Sequence, residues 1–206
     1  IDIYVGNIWS SEDIAPYLLV NDGTGKFTVG TGLLPVQLRL GENGFTASVF
    51  ADVNNDSFPD LILGDADDTL SNQYSSRDSL VLLNDGHGKF NLLRGALPDK
   101  PSAKSLVLSI VPTDLDSDGW MDLVFIFTDD YSGRSFKAYM NNRDGTFRDE
   151  TDARLAGLSK DGVSYCYRLF EMDADHDGDL DLVGKIWNDR SPTPLLFVND
   201  GNGCFS

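Results

Sequence analysis

The sequence predicts an all-β protein built from repeated antiparallel sheets. Two motifs recur along the 206 residues with a period of about sixty, and runs of strand length flank each copy. The acidic residues favour loops over helices, because only 4 of the 33 are Glu and the other 29 are Asp. With 20 Gly and no long stretch of helical period, a helical bundle is excluded.

The first motif is an Asp-rich loop between two predicted strands. Its three copies start 62 and then 59 residues apart. They are D-V-N-N-D-S-F-P-D-L from Asp52, D-L-D-S-D-G-W-M-D-L from Asp114 and D-A-D-H-D-G-D-L-D-L from Asp173. Apolar or alternating runs precede each loop (45–50, 106–111, 165–170) and follow it (61–63, 123–127, 180–183). We therefore expect each loop to be the hairpin between the first two strands of a unit.

The second motif is an Asn-containing turn that joins the third and fourth strands. Its four copies are N-D-G-T-G-K-F from Asn21, N-D-G-H-G-K-F from Asn84, N-N-R-D-G-T-F from Asn141 and N-D-G-N-G-C-F from Asn199. In every copy Gly follows Asn by four residues and Phe follows it by six. Asn, Asp and Gly tolerate the positive φ of tight reverse turns, so each copy is predicted to connect two strands of a hairpin. The strands before the turns, the third of each unit, are predicted at 17–20, 79–83, 136–140 and 195–198.

Four antiparallel strands repeated along a chain form the blades of a β-propeller. The approximate units are 1–44, 45–104, 105–162 and 163–206, within one propeller segment spanning 1–206. The first unit lacks its first strand, and Asp2 stands where Asp60, Asp122 and Asp181 end the complete loops. About three and a half blades are present, fewer than the smallest ring needs. We expect a fragment of a larger ring, completed by the remaining blades of a parent protein or by another copy.

The Asp loops are predicted to bind calcium. Oxygen-bearing side chains occupy positions 1, 3, 5 and 9, and a backbone carbonyl is available at position 7; hard oxygen ligands without His or Cys favour Ca²⁺. The candidate ligands are Asp52, Asn54, Asp56, Phe58 (carbonyl) and Asp60; Asp114, Asp116, Asp118, Trp120 (carbonyl) and Asp122; and Asp173, Asp175, Asp177, Asp179 (carbonyl) and Asp181. The first loop should bind most weakly, because Asn54 removes one charge and Ser57 replaces the Gly of the other loops. The alternative is that the loops are Asx-turns without metal. An EF-hand is excluded, since position 12 is Leu63, Phe125 or Gly184 and not Glu.

These motifs resemble the FG-GAP or VCBS repeat family, whose calcium-binding blades also occur in integrin α-subunit heads. The resemblance rests on D-x-[DN]-x-D-G-x-x-D-L between two strands, followed by L-L-x-N-D-G-x-G-x-F, and it extends over essentially the whole chain. It implies a propeller that is commonly seven-bladed, with calcium in the first hairpin of a blade and an extracellular or cell-surface location. The family includes adhesion receptors, lectin-like modules and propellers of polysaccharide-degrading enzymes. Ser57, the truncated loop at Asp2 and the lack of a clear Gly-Ala-Pro segment depart from the integrin pattern.

Charge and composition exclude several partners. A net charge of -17 without a basic cluster argues against nucleic acid. The longest apolar run, 123–127, is far too short to span a membrane. Whether Cys166 and Cys204 pair with each other is left open by the sequence.

Aromatic residues in the variable loops after the second strands are the candidate ligand-binding surface. They are Trp9, Tyr74, Tyr131 and Trp187. Such residues stack on sugars or anchor protein partners, although the two Trp could instead pack between neighbouring blades. Neither His87 nor His176 has a nucleophile beside it in sequence, which favours binding over catalysis. The predicted function is a calcium-binding extracellular recognition or adhesion propeller for a glycan or protein ligand; the alternative is part of a secreted polysaccharide lyase or hydrolase.

Overall fold

The residues that the structure describes fold into four antiparallel sheets and one short α-helix. The computed structural model describes residues 2–6, 16–35, 38, 44–65, 79–102, 104–129, 132–156, 166–186 and 195–205. The strands are β1 Ile3–Val5, β2 Tyr17–Asn21 and β3 Phe27–Gly30; β4 Phe45–Ala51, β5 Asp60–Asp65, β6 Leu80–Asn84 and β7 Phe90–Leu93; β8 Ser105–Thr113, β9 Asp122–Asp129, β10 Ser132–Asn141 and β11 Phe147–Asp149; and β12 Cys166–Met172, β13 Asp181–Ile186 and β14 Leu195–Phe197.

Each sheet is a meander in which consecutive strands pair. The first sheet has the order β1-β2-β3, the second β4-β5-β6-β7, the third β8-β9-β10-β11 and the fourth β12-β13-β14. The registers repeat from sheet to sheet: Ile62 faces Val81 in the second, Val124 faces Ala138 in the third, and Val183 faces Leu196 in the fourth. The strands predicted from the two motifs are thus confirmed. The fourth sheet ends in a single bridge between Asn199 and Phe205.

The core lies between successive sheets. One cluster joins the first and second sheets and includes Leu18 and Leu61; another joins the second and third through Ile62 and Phe125. A further cluster joins the third and fourth sheets. In these clusters Leu61, Ile62 and Phe125 are fully buried. Each internal sheet therefore presents one face to the sheet before it and the opposite face to the sheet after it.

Backbone hydrogen bonds at the repeated Phe also tie each sheet to the one before it. The N–H of Phe90 donates to the Leu33 carbonyl (2.8 Å), that of Phe147 to Ala96 (2.7 Å) and that of Phe205 to Arg154 (2.8 Å). The strand β8 contacts β4 on one side and β12 on the other. The first strands of three successive sheets therefore lie side by side.

The short helix α1, Thr151–Arg154, was not predicted from the sequence. It follows the third sheet, and Leu155 at its end is buried in the core that joins the third and fourth sheets. Four residues are too few to give a helical period. Among the described residues, no helix has the length and apolar character that a membrane crossing requires.

Candidate metal centres in the aspartate loops

The three Asp loops share one backbone conformation. Each connects the first two strands of its sheet and has left-handed residues at positions 4 and 6. At position 6 the φ angle is 72° for Ser57, 86° for Gly119 and 100° for Gly178. A left-handed backbone is strained for any residue with a Cβ, which explains why two of the three loops have Gly there.

The second loop brings three carboxylates together. One oxygen each of Asp114, Asp116 and Asp122 lies within 4.8 Å of the other two. Oxygens on opposite sides of one Ca²⁺ are about 5 Å apart, because each Ca–O distance is about 2.3–2.6 Å. Asp116 Oδ1 is buried and accepts no hydrogen bond within the described structure. A buried carboxylate oxygen without a donor is costly, so the cluster fits a hard divalent cation.

The third loop forms a similar group from a different subset. Here one oxygen each of Asp173, Asp175 and Asp177 lies within 4.8 Å of the others. Asp173 Oδ1 is likewise buried without a hydrogen-bond partner in the part of the chain that the structure describes. Desolvation, and then the neighbouring Asp177 carboxylate, raise the pKa of Asp175. Three acidic groups this close repel each other unless a cation joins them.

The first loop differs from the second at position 3. Asp52 accepts the N–H groups of Asp56 (3.1 Å) and Ser57 (2.8 Å), as Asp114 accepts those of Asp118 and Gly119, but here the Asn54 amide also donates to Asp56 (2.9 Å). Its three carboxylates are not among the described acidic groups that converge within 4.8 Å. This loop is therefore the least suited of the three to a cation.

The last Asp of every loop has a role that the sequence analysis did not assign. Asp122 Oδ2 accepts the N–H of Leu115 inside its loop (3.1 Å), and Oδ1 accepts the N–H of Asn141 at the distant turn (2.7 Å). The same pair of bonds occurs at Asp60 and at Asp181. Burial raises the pKa of Asp60 to about 6 and that of Asp122 to about 7, against the lowering effect of the two N–H donors. Each oxygen keeps a second lone pair, so these bonds do not prevent metal ligation.

A signal for this role exists in the first unit. Asp2 stands at the position of Asp60, Asp122 and Asp181, and its Oδ1 accepts the N–H of Asn21 at 2.9 Å.

The Asn of the turn reaches into the loop of the preceding sheet. The Asn141 amide donates to the Val53 carbonyl of the second sheet (2.8 Å) and to Met121 of its own sheet (2.9 Å). The Asn199 amide donates likewise to Leu115 of the third sheet (3.2 Å) and to Leu180 (3.1 Å). The backbone carbonyl at position 2 of a loop thus accepts a hydrogen bond from the sheet that follows.

Two arginines lie against the second loop. Arg154 contacts Asp116 (3.2 Å) and Glu150 (2.9 Å), and it also donates to the Asn202 carbonyl in the turn of the fourth sheet. Arg143 donates to Asp118 Oδ2 at 3.0 Å, and Asp118 is not in the converging group. The guanidinium of Arg154 therefore supplies part of the positive charge that a cation would supply, and it connects the loop to the neighbouring sheet.

The candidate ligand-binding residues Trp9, Tyr74, Tyr131 and Trp187 lie outside the described residues. Both histidines, His87 and His176, are exposed in turns. Asp129, the last residue of β9, accepts the hydroxyl of Ser105 at 2.6 Å. Cys166 is a buried free thiol and Cys204 a half-buried one.

Comparison with known families identifies part of the chain. Residues 114–184 match a family model described as an FG-GAP-like repeat. The match begins at the first Asp of the second loop and includes all of the third loop. It confirms the resemblance for this segment. A search of curated proteins found no match.

Proposed function

We propose that this chain is the calcium-binding part of a β-propeller that recognises an extracellular glycan or protein ligand without transforming it. The observation that carries the proposal is the repeated convergence of three carboxylate oxygens, within 4.8 Å, in the second and third loops. The FG-GAP-like repeat over residues 114–184 supports it independently.

Calcium suits these loops better than other common cations. The ligand groups are all oxygen, and the loops contain neither Cys nor a His within the converging groups. Ca²⁺ accepts irregular oxygen shells of six to eight ligands, whereas Mg²⁺ requires a compact octahedron. Side-chain oxygens at positions 1, 3, 5 and 9, the position-7 carbonyl and water together supply such a shell. Weak extracellular calcium sites work at the millimolar calcium found outside cells.

The propeller arrangement is supported by the packing of successive sheets. Each sheet covers the next with a matched apolar face, and β4, β8 and β12 lie side by side, as the innermost strands around a propeller axis do. Further sheets, from a longer parent chain or from another copy, would complete the ring.

Ligand recognition is assigned to the variable loops that carry Trp9, Tyr74, Tyr131 and Trp187. The repeated motifs account for folding and metal binding, while these loops differ from unit to unit. Variable loops on a rigid scaffold are where binding specificity usually resides.

Thermal unfolding in chelator and in millimolar calcium tests the metal proposal. Three bound Ca²⁺ would add six charges and move the net charge from -17 to -11. Because the ion binds the folded state only, it should raise the unfolding midpoint as its concentration rises. Magnesium at the same concentration is the control and should raise the midpoint less. Equal midpoints in chelator and calcium would contradict the proposal.

Glycan-array and cell-surface binding by Trp variants test the ligand proposal. We expect Trp9→Ala and Trp187→Ala to weaken binding and leave the calcium-dependent melt unchanged. His87→Ala, at an exposed turn residue outside both the variable loops and the Asp loops, is the control and should change neither binding nor the melt. If the Trp9 and Trp187 variants fail to fold, these residues are inter-blade packing; if the chain depolymerises a polysaccharide, the enzyme alternative is correct.

A further inference from the structure

Arg154 contacts the second loop from the segment that follows the third sheet. Its Nη2 lies 3.2 Å from Asp116 Oδ2, its Nε lies 2.9 Å from Glu150 Oε2, and its Nη1 donates to the Asn202 carbonyl. The side chain is only 15% exposed. Because the planar guanidinium is held at three points, its orientation is fixed, and it fixes in turn the carboxylate that it contacts.

The contact with Arg154 leaves the other oxygen of Asp116 free. Asp116 Oδ1 is buried and accepts no hydrogen bond from the described residues, and Asp116 belongs to the converging group with Asp114 and Asp122. A carboxylate that accepts a hydrogen bond at one oxygen can still ligate a cation through the other. Of the two Asp116 oxygens, Oδ1 is therefore the one available to an ion.

Glu150 offsets the positive charge of Arg154. An unpaired arginine beside a cation site would repel the ion and weaken its binding. Here the Glu150 carboxylate pairs with the same guanidinium, so that the two side chains together carry no net charge. The repulsion of an ion is thereby reduced, while the hydrogen bond that orients Asp116 is kept.

The first loop lacks both members of the contact. The Arg154 carbonyl accepts the N–H of Phe205. In the preceding junction the Ala96 carbonyl accepts the N–H of Phe147, so Ala96 is the counterpart of Arg154. Position 3 of the first loop is Asn54, whose amide donates within the loop. Asp at position 3 thus occurs together with Arg after the sheet, and Asn occurs together with Ala.

The fourth sheet holds Arg154 and the second loop together. Its turn, 199–205, accepts the Arg154 guanidinium at the Asn202 carbonyl and donates the Phe205 N–H to the Arg154 carbonyl at 2.8 Å. The Asn199 amide of the same turn donates to the carbonyl of Leu115, the residue before Asp116, at 3.2 Å. The geometry of the second loop therefore depends on the sheet that follows it.

We propose that Arg154 is a positioning residue for the second metal centre, which acts by holding Asp116 Oδ2 so that Oδ1 faces the ion. This role rests on the proposed calcium function of the loop, and it makes the affinity depend on a residue outside the loop. Loss of such an outer hydrogen-bond partner typically lowers metal affinity about 10–100-fold. We expect a loss of this size at the second loop in the Arg154→Gln variant.

Terbium luminescence sensitised by Trp120 measures binding at the second loop of the 206-residue chain. Tb³⁺ binds oxygen sites as Ca²⁺ does, and Trp120 is at position 7 of this loop. Loss of the signal in Trp120→Phe, which keeps the backbone carbonyl, assigns it to the loop. Displacement of Tb³⁺ by calcium then gives the calcium affinity of the parent and of Arg154→Gln, with circular dichroism as the check of folding. Arg154→Lys keeps the charge without the planar fork and should bind with intermediate affinity.

Arg143→Gln is the matched control, because it removes the same charge from beside the same loop. Arg143 contacts Asp118, which is not in the converging group. This variant should bind calcium at least as tightly as the parent, since a nearby positive charge is lost and no converging ligand is released. Asp116→Asn alone should weaken binding, and adding Arg154→Gln to it should weaken binding little further, because Arg154 acts through Asp116.

The outcomes separate the positioning role from the calcium function. If Arg154→Gln binds calcium as tightly as the parent, or more tightly, the positioning role is wrong and the calcium function stands. Independent losses in the Asp116→Asn and Arg154→Gln double variant would also overturn the role. If Arg154→Gln does not fold, an unchanged affinity in Arg154→Lys would have the same meaning. A parent chain without the Trp120-dependent signal would overturn both the calcium function of this loop and the role of Arg154.

Discussion

Replacing Asp122 by Asn separates the structural role of the last loop carboxylate from its role in metal binding. Asp122 is 2% exposed, and its two oxygens accept N–H groups from Leu115 and Asn141. Asn is nearly isosteric but has only one acceptor oxygen, so its amide group must face one of these donors. We expect Asp122→Asn to destabilise the protein even when no calcium is present.

The size of the effect follows from the lost bond. One buried N–H left without an acceptor costs about 1–3 kcal/mol. For a chain of this length each kcal/mol lowers the unfolding midpoint by about 2–4 °C, so the midpoint should fall by about 2–12 °C. The comparison should be made below the carboxyl's pKa of about 7, because the parent side chain is then neutral like Asn and the substitution does not also remove a desolvated charge.

Asp175→Asn is the matched control, measured by differential scanning calorimetry in chelator and in calcium. Asp175 belongs to the converging group of the third loop, and it is exposed. In chelator its loss removes repulsion from Asp177, so the midpoint should hold or rise; in calcium the variant should lose part of the calcium-dependent gain. Asp122→Asn should lose stability under both conditions.

Two results would refute this reasoning. An Asp122→Asn midpoint equal to that of the parent in chelator would show that the two N–H bonds contribute nothing. An Asp175→Asn variant that is destabilised equally with and without calcium would show that its carboxylate holds the fold and not an ion.

Three further outcomes are expected. Ser57→Gly should raise the free energy of unfolding by about 0.5–1 kcal/mol with or without calcium, measured by urea titration, because the φ of 72° strains Ser; no gain would contradict that strain. Burial raises the pKa of Asp60 from 3.8 to about 6 and that of Asp122 from 3.8 to about 7, so both carboxyls ionise more easily in the unfolded chain. In chelator, thermal stability should therefore fall as the pH rises from 3.8 to about 7. Calcium binds the ionised carboxylates, so the difference between the unfolding midpoints in calcium and in chelator should increase over this pH range. A constant difference would argue against calcium binding by these carboxylates. Burial raises the pKa of Cys166 to about 11, so a thiol reagent should modify Cys204 first and Cys166 only as fast as the chain unfolds.

Most of the strand order could be predicted from the sequence. Alternating or apolar runs and the Asn-containing turns are local signals, and the repeat multiplies them. The strand β4 was expected at 45–50 and is found at Phe45–Ala51. The helix α1 escaped prediction because it has only one turn, held at Leu155 by tertiary packing.

The candidate sites were predicted less completely than the strands. Spacing identified the oxygen-rich positions but not which of them converge: the second loop gathers positions 1, 3 and 9, and the third gathers positions 1, 3 and 5. The difference arises from long-range contacts, such as the one that holds Asp118 to Arg143. Arg143 lies 25 residues from Asp118 in sequence, so no local pattern predicts that the two side chains pair.

Asn141 and Asn199 each donate a hydrogen bond to the loop of the preceding sheet. Each sheet is therefore coupled directly to its neighbour, as in a linear array of repeats. In such an array, ordering one loop stabilises the adjoining sheet, and this stabilisation decreases for sheets farther along the chain. Under a pulling force or in mild denaturant, the sheets should open one at a time. An ion that orders one loop would stabilise the contact between that loop and the next sheet. Release of the ion would weaken this contact before the others.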